Sequence, residues 1–361
     1  MLHVTEAMAG GILTFVSSIA RRQADEGARV SVLYARRPES LPDDEIASRL
    51  GSAVRVLQSV DNGSSARNGL ELLKKLRRIS SEDYDVVHLH SSIAGAVGRM
   101  RLSKCAPLTV YSPHGFAFLR LDRTPASRWL ARTVERALST RAYLMLTSES
   151  ELQLARKVVG AANAELVQSG VPSSSIPTQL RPTGRPRPRV ITVARMVYQK
   201  APWRFAAVAR ELSGLADFTW VGGGSNERRA QWIGDAPVTV LDWLSPEELD
   251  TLLLDSDVFL FPTLWEGMSL ALAQAQSRGL PAVTTNVVGN RDAVVDGETG
   301  FVCDTDDELI VATRRILSDP ILREQMSAAA TKFAQRALVD DNLGNDTLIQ
   351  YETWIRAAGS S

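Results

Sequence analysis

The chain is poor in the features that mark special classes of protein. It has 2 cysteines in 361 residues, and neither their number nor their separation supports a disulfide framework or a zinc site. Cys105 and Cys303 each fall in an apolar or loop context, and the composition fits a reducing compartment. No apolar run approaches the roughly 18 residues that would span a bilayer. The N-terminus enters a strand pattern, "MLHVTE", without a visible secretory leader; a cytoplasmic chain is expected, and the shortness of that first strand leaves room for a few missing upstream residues. There is no excess of one charge: 41 Lys+Arg meet 41 Asp+Glu, which excludes the global basic field of many nucleic-acid binders. A complete G-x-G-x-x-G is lacking too. Gly10-Gly11 and "VGGGSN" (Val221 to Asn226) fall short of it, which disfavours a nicotinamide dehydrogenase.

What remains is an ordinary globular composition, 44% hydrophobic and 23% charged, with length enough for two cores. Charge is unevenly spread. Up to Pro177 there are 23 Lys+Arg against 17 Asp+Glu, and beyond it 18 against 24. The basic excess gathers in "LLKKLRRIS" (Leu72 to Ser80) and in the stretch Arg120 to Arg141. In the latter, Arg128, Arg132 and Arg136 recur at helical spacing beside Trp129 and Leu130. Such a face is either a solvated surface or a contact for anionic lipid.

Short β-rich runs alternate with helical ones: "MLHVTE", "RVSVLYA", "SAVRVLQ", a basic helix from Asn68 to Ser80, "YDVVHLH", "PLTVYSPHG", "AYLMLTS" and "AELVQSG". The stretch Val171 to Arg189, dense in Pro, Ser and Arg, reads as an interdomain linker. The alternation then restarts with "RVITVA", "DFTWVGGG", "VTVLDW", "VFLFPT", "PAVTTN" and "GFVCD". Two such halves imply two doubly wound parallel sheets. The expected domains are residues 1–178 and 179–340, with a terminal helix in 341–361 packing back on the first domain. Ligands of such sheets bind beyond the carboxyl ends of the strands.

Four groups stand at such ends. Glu266 and Gly267, with Met268, Ser269 and Leu270, follow "VFLFPT" and open a helix. A helix start offers free N–H groups to a phosphate, and a carboxylate there accepts strongly from sugar hydroxyls or merely complements the dipole. Arg195 and Lys200 follow "RVITVA" and either clamp a diphosphate or are the long side chains of a solvated loop. His114 ends "PLTVYSPHG", where it can bond a hydroxyl or shuttle a proton; His88 reads as core, and His90 as core or site. Gly10 and Gly11 let backbone approach a ligand closely. Acid pairs Asp83/Asp85, Asp255/Asp257 and Asp304/Asp306 have the spacing of a metal site, but each has a local excuse, and no metal or other cofactor is expected.

In this order, these groups resemble the retaining glycosyltransferases of family 4, of GT-B fold. "VARMVYQK" is similar to the family's diphosphate clamp, "FPTLWEGMSLALAQAQSRGLPAVTTNVVGNRDAVVDGETGFV" to its donor-site signature, and "AGGILTFV" and "SPHGFAF" to its glycine loop and active-site histidine. The resemblance implies two Rossmann-like domains facing a central cleft. It implies transfer of a hexose-type sugar from a nucleotide donor, UDP by preference, to a hydroxyl of a glycan or lipid-linked acceptor, without a metal. Arg195 and Lys200 would hold the diphosphate with N–H groups from Met268 to Leu270. Glu266 and His114 would contact the sugar, Gly11 would line the phosphates, and the base would pack near Leu241 to Trp243. No carboxylate stands out as a nucleophile, which favours front-face displacement. The enzyme would be cytoplasmic, or peripheral at the inner face of the membrane.

The chain departs from the family at Gln274, where a second glutamate usually meets the ribose. A neutral bond in place of a charged one loses about 1 kcal/mol. Ala194 and Ala201 stand where the family has glycines. Gln274 is what invites a non-catalytic sugar-nucleotide-binding partner subunit as the alternative; a GT-B sugar-nucleotide epimerase is another.

Overall fold

A computed structural model of the chain describes residues 1–6, 8–36, 40–57, 71–72, 74–76, 84–101, 108–177 and 186–359. Most of the expected basic helix from Asn68 to Ser80, together with Cys105 and Asp83, lies outside them.

The chain forms two compact units. The first comprises Met1–Leu119, Arg123–Ser169 and Asp341–Ser361; the second comprises Arg120–Asp122 and Gly170–Asp340. The first holds a parallel sheet in the order β3-β2-β1-β4-β5-β6-β7, built from β1 (Leu2–Thr5), β2 (Ser31–Tyr34), β3 (Arg55–Val56), β4 (Val86–His90), β5 (Leu108–Ser112), β6 (Tyr143–Leu146) and β7 (Ala164–Leu166). The second holds a parallel sheet in the order β10-β9-β8-β11-β12-β13, from β8 (Arg189–Val193), β9 (Asp217–Val221), β10 (Val238–Leu241), β11 (Val258–Phe261), β12 (Ala282–Thr285) and β13 (Gly300–Cys303). These are the two doubly wound sheets that the alternation implies. Their strands are short apolar runs because helices cover both faces. The first sheet accordingly lies between two apolar clusters, one around Leu89 and Leu144 and the other around Val16 and Val110.

In each sheet the strand order reverses beside the first strand of the unit. β1 lies between β2 and β4, and β8 lies between β9 and β11. Loops leaving neighbouring strands on the two sides of such a reversal splay apart and leave a crevice. This places the loops after β1 and β4 together, and likewise those after β8 and β11.

Several helix starts follow from local chemistry. Ser245 with Glu248, and Thr305 with Glu308, form capping boxes, the reciprocal bonding that S/T-x-x-E spacing permits. Thr124 caps the helix Pro125–Ala137, with proline in its first turn. The expected strand "SAVRVLQ" shrinks to Arg55–Val56, whose two residues are exposed at the sheet edge. The helix Pro320–Ala337 has no counterpart among the sequence expectations. Its run of alanines carries little periodicity, yet Ala334 and Leu338 pack on Ala273. The C-terminal helix Leu343–Gly359 belongs to the first unit, with Tyr351 and Trp354 buried in its core. Among the described residues no helix is long and apolar enough to cross a membrane.

Candidate active site

In the second unit β8 and β11 are paired neighbours, so the loops leaving their carboxyl ends run side by side. Backbone and side chain stitch them together. Leu264 N donates to Gln199 O at 2.8 Å, and Gln199 Nε2 donates to Trp265 O at 2.8 Å. Beside these bonds Lys200 Nζ donates to Glu266 Oε1 at 2.6 Å, and the ammonium lies 4.8 Å from the centre of the Phe261 ring. Glu266 is 7% exposed. Two residues singled out for separate parts of a ligand are thus each other's partners. An ammonium has three N–H groups and a carboxylate two oxygens, so each keeps capacity for a ligand.

Arg195, five residues before Lys200 in the same loop, is half-buried. Behind it the backbone is tightly packed. A side chain at Gly222, whose φ is 121°, would meet Ala194 O at 2.2 Å. On the far side, a side chain at Gly289 would meet Gly267 O at 1.8 Å. Ala201 adopts φ 47°, a left-handed conformation that favours glycine.

The helix after Glu266 begins later than the sequence suggests. It spans Leu270–Ser277, and Gly267 and Met268 belong to the preceding turn. Ser269 is its N-cap and accepts from Leu272 N, because a short hydroxyl competes well for a free helix-start N–H. The N–H groups of Leu270 and Ala271 have no intrahelical acceptor. The two glutamines of this helix differ in kind. Gln276 is buried and donates to Leu280 O and Thr299 O. Gln274 is half-exposed, and its amide has no hydrogen-bond partner among the described residues.

At the end of β10, Leu241 O accepts from Gly222 N and Gly223 N, and Trp243 stands 61% exposed. Of the described acids of the D-x-D pairs Asp85 is exposed, and the other four are engaged structurally. Asp255 pairs with Arg189, Asp257 accepts from Arg189 N, Asp304 accepts from Asn286, and Asp306 pairs with Arg204. Cys303 is buried and its thiol is pushed up to about 12, chiefly by desolvation.

In the first unit Gly10 (φ 55°) and Gly11 are exposed at the start of the helix Gly10–Asp25. The helix Ser92–Arg101, by contrast, has its start closed. Glu6, buried at the end of β1, accepts from Ala94 N at 2.9 Å, from Ile93 N at 3.3 Å and from Ser91 Oγ.

His114 follows β5 in a turn where both it and Gly115 are left-handed, at φ 51° and 96°. Buried Glu151 holds that turn by accepting from Gly115 N at 2.7 Å. The Phe15 ring packs edge-on at 4.8 Å from the imidazole. His114 Nε2 bonds His90 Nδ1 at 3.1 Å, and His90 Nε2 bonds His3 Nδ1 at 3.0 Å. His88 lies beside them, bonded to Tyr351 and Ser112. Burial keeps the cluster neutral: His3 and His114 are lowered to about 4, and His88 and His90 fall well below the usual histidine value. His3, His88 and His90 offer ring nitrogens within 4.8 Å of one another, the geometry of a metal site. Every one of those nitrogens already has a hydrogen-bond partner. Sequence reading passed over His3, Glu6, Gln23 and Glu151, since single polar residues in apolar runs carry no local signal of their neighbours.

The basic helix Pro125–Ala137 turns Glu135 inward, onto Arg99 at 2.7 Å and Tyr111 at 3.0 Å. Outward it shows Trp129 (60% exposed), Leu130 (57%), Arg132 and Arg136. Arg132, Arg136 and nearby Arg123 make no ion pair among the described residues.

Residues 187–319 match the model of the glycosyl transferases group 1, and residues 10–170 match the glycosyl transferase 4-like domain. The chain is 28% identical over 288 residues, 72% of its own length and 73% of the relative's, to an Escherichia coli UDP-Gal:alpha-D-GlcNAc-diphosphoundecaprenol alpha-1,3-galactosyltransferase. In fold it is similar to sucrose-phosphate synthase from Thermosynechococcus elongatus, with a TM-score of 0.82 at 16% identity over 99% of both chains. It is also similar to an Anabaena protein in complex with UDP and glucose, with a TM-score of 0.75 at 13% identity over 97% of this chain and 98% of that one.

Proposed function

Since the chain belongs to the group 1 glycosyl transferases and is a glycosyltransferase of GT-B type, we propose that it moves a hexose from UDP to a hydroxyl of a lipid-linked or other glycan acceptor, with retention and without a metal. The observation that carries this reading is the Lys200–Glu266 pair, in loops of which one also carries Arg195, at the strand-order reversal of the second unit. Arg195, Lys200 and Glu266 together carry one net positive charge. With the N–H groups of Leu270 and Ala271, that charge opposes a diphosphate without a divalent ion.

Lys200 bonds a phosphate oxygen with its remaining protons and stabilises charge developing on the leaving group. Glu266, neutralised on one oxygen, accepts a sugar hydroxyl with the other. Gln274 faces the ribose, Trp243 offers a stacking surface to the base, and Gly10 and Gly11 admit the phosphates. His114 accepts from a hydroxyl of the sugar. Departure of the diphosphate and attack by the acceptor on the same face give retention, with the leaving oxygen taking the acceptor's proton.

UDP is favoured by the donor named for the E. coli relative and by the UDP held by the Anabaena structure. A thermal-shift panel of UDP-, GDP- and dTDP-sugars tests it. The UDP-sugars are expected to stabilise the chain most, and Gln274→Glu to bind the same donor as tightly or several-fold tighter. A panel in which no sugar nucleotide shifts the melting point removes the reading.

The lipid-linked acceptor is supported by that relative's named substrate and by exposed Trp129 and Leu130 beside Arg132 and Arg136, which make no ion pair among the described residues. Aromatic and basic side chains together suit an anionic bilayer surface, at the inner face of a cell membrane. Flotation with anionic vesicles is expected to carry the chain at low salt and release it at high salt. Equal recovery with neutral vesicles would remove the membrane contact.

A further inference from the structure

All 4 histidines of the chain lie in the one cluster of the first unit, and three of them form a hydrogen-bonded file with a fixed start. Thr347 Oγ1 donates to Gly344 O at 2.6 Å, a carbonyl that can only accept. The hydroxyl oxygen then accepts from Gln23 Nε2 at 3.3 Å. This sets the amide, so that Gln23 Oε1 faces His3 Nε2 at 2.8 Å and His3 carries its proton there. His3 Nδ1 is left to accept from His90 Nε2, and His90 Nδ1 to accept from His114 Nε2. Between neutral imidazoles each bond needs one proton and one lone pair. His3 and His90 cannot reverse without breaking the bonds on both sides, and His114 cannot without breaking its bond to His90. His114 Nδ1, at the open end, has no partner among the described residues.

We propose that this file is a tautomer lock, in which Thr347, Gln23, His3 and His90 are positioning residues that make His114 present a bare Nδ1 lone pair to its ligand. The partner so selected is a hydroxyl that donates; a phosphate or carbonyl oxygen meets a lone pair and is rejected. The lock rests on geometry, and its link to a sugar hydroxyl rests on the function proposed above. The left-handed turn at His114, held by Glu151, fixes the backbone as the file fixes the ring. The start of the file lies on the C-terminal helix, so that helix reaches His114 through an unbroken run of hydrogen bonds. His88 is polarised the same way by its own route: Ser112 Oγ donates to Met145 O and accepts from His88 Nε2, and Tyr351 donates to His88 Nδ1.

Long-range proton–nitrogen spectra of the labelled full chain at pH 7 test the lock without any substrate. His3, His90 and His114 are expected to be neutral and protonated on Nε2 alone. Thr347→Val frees the Gln23 amide to flip and is expected to mix the His114 tautomers, whereas Thr347→Ser keeps the pattern. In a transfer assay Thr347→Val is expected to lower kcat/KM about three- to ten-fold, and Thr347→Ser to restore it. Protonation of His114 on Nδ1 in the parent chain overturns the lock, as does stoichiometric zinc bound through His3, His88 and His90. So does a His114 spectrum indifferent to a folded Thr347→Val chain. An intact Nε2 pattern in a chain that turns over no sugar nucleotide upholds the lock and defeats only the functional reading.

Discussion

Lys200 and Glu266 lie 2.6 Å apart in a partly desolvated corner, where each charge is tolerable because the other is present. Removing one should therefore expose the other. Lys200→Met is expected to cost about 1–3 kcal/mol of stability, as a nearly buried carboxylate loses its partner, and to weaken UDP binding at least about ten-fold. Glu266→Gln should do the opposite to UDP. It frees the full charge of Lys200 and is expected to tighten UDP several-fold while slowing transfer, since the sugar loses a charge-assisted acceptor. Calorimetric titration with UDP separates the two variants. If both lose UDP affinity equally, the pair does not lie at the diphosphate. Both residues were legible from the family signature and the strand-end rule, but their mutual bond was not. It joins positions in two loops that only the β8–β11 pairing brings together.

Helix ends were readable where a cap is spelled out locally, as at Ser245/Glu248 and Thr305/Glu308. They were less readable where tertiary packing sets them. Gly267 and Met268 are held out of the following helix in a turn against which the Gly289 backbone packs closely. The C-terminal helix shows the same dependence. It lies against the helix Gly10–Asp25 at Gly344, where a Cβ would sit 2.3 Å from Arg22 Cβ. Gly344→Val must push the two helices apart or distort them and is expected to cost about 1–3 kcal/mol, read as a lower denaturant midpoint. Because Gly344 O and Thr347 begin the file that ends at His114, the same change should disorder the His114 tautomer. A substitution that leaves the midpoint unmoved would show that the helices do not pack this closely.

Across the whole molecule the histidines divide the two units. All four lie in the first unit, and the second has none. In the unfolded chain a histidine takes up a proton below about pH 6.5, whereas folded His3 does so only at about 4 because burial disfavours its charged form. Between those values the unfolded state binds more protons. The stability contributed by the neutral cluster is therefore full above pH 6.5 and is lost as pH falls toward 4. His3 alone accounts for about 3 kcal/mol over that window. Hydrogen exchange at pH 7 and 5.5, corrected for intrinsic rates, is expected to show faster opening on acidification in the first unit, with the second unchanged. Equal loosening of both units would count against a histidine origin.

By itself the sequence determined that strands and helices alternate in two halves, because apolar period and Gly/Pro punctuation are local properties of the chain. It also determined which loops leave the carboxyl ends of the strands, because strand ends can be counted along it. Tertiary structure decided what those residues do to one another. His3, Gln23, His90, His114 and Thr347 come from β1, the helix Gly10–Asp25, β4, the turn after β5 and the C-terminal helix, and no spacing links them. Their bonds exist because β1, β4 and β5 lie adjacent in the sheet and the C-terminal helix returns to cover it. The direction of a hydrogen-bonded file is a property of its closed network of donors and acceptors, and only the folded chain closes it.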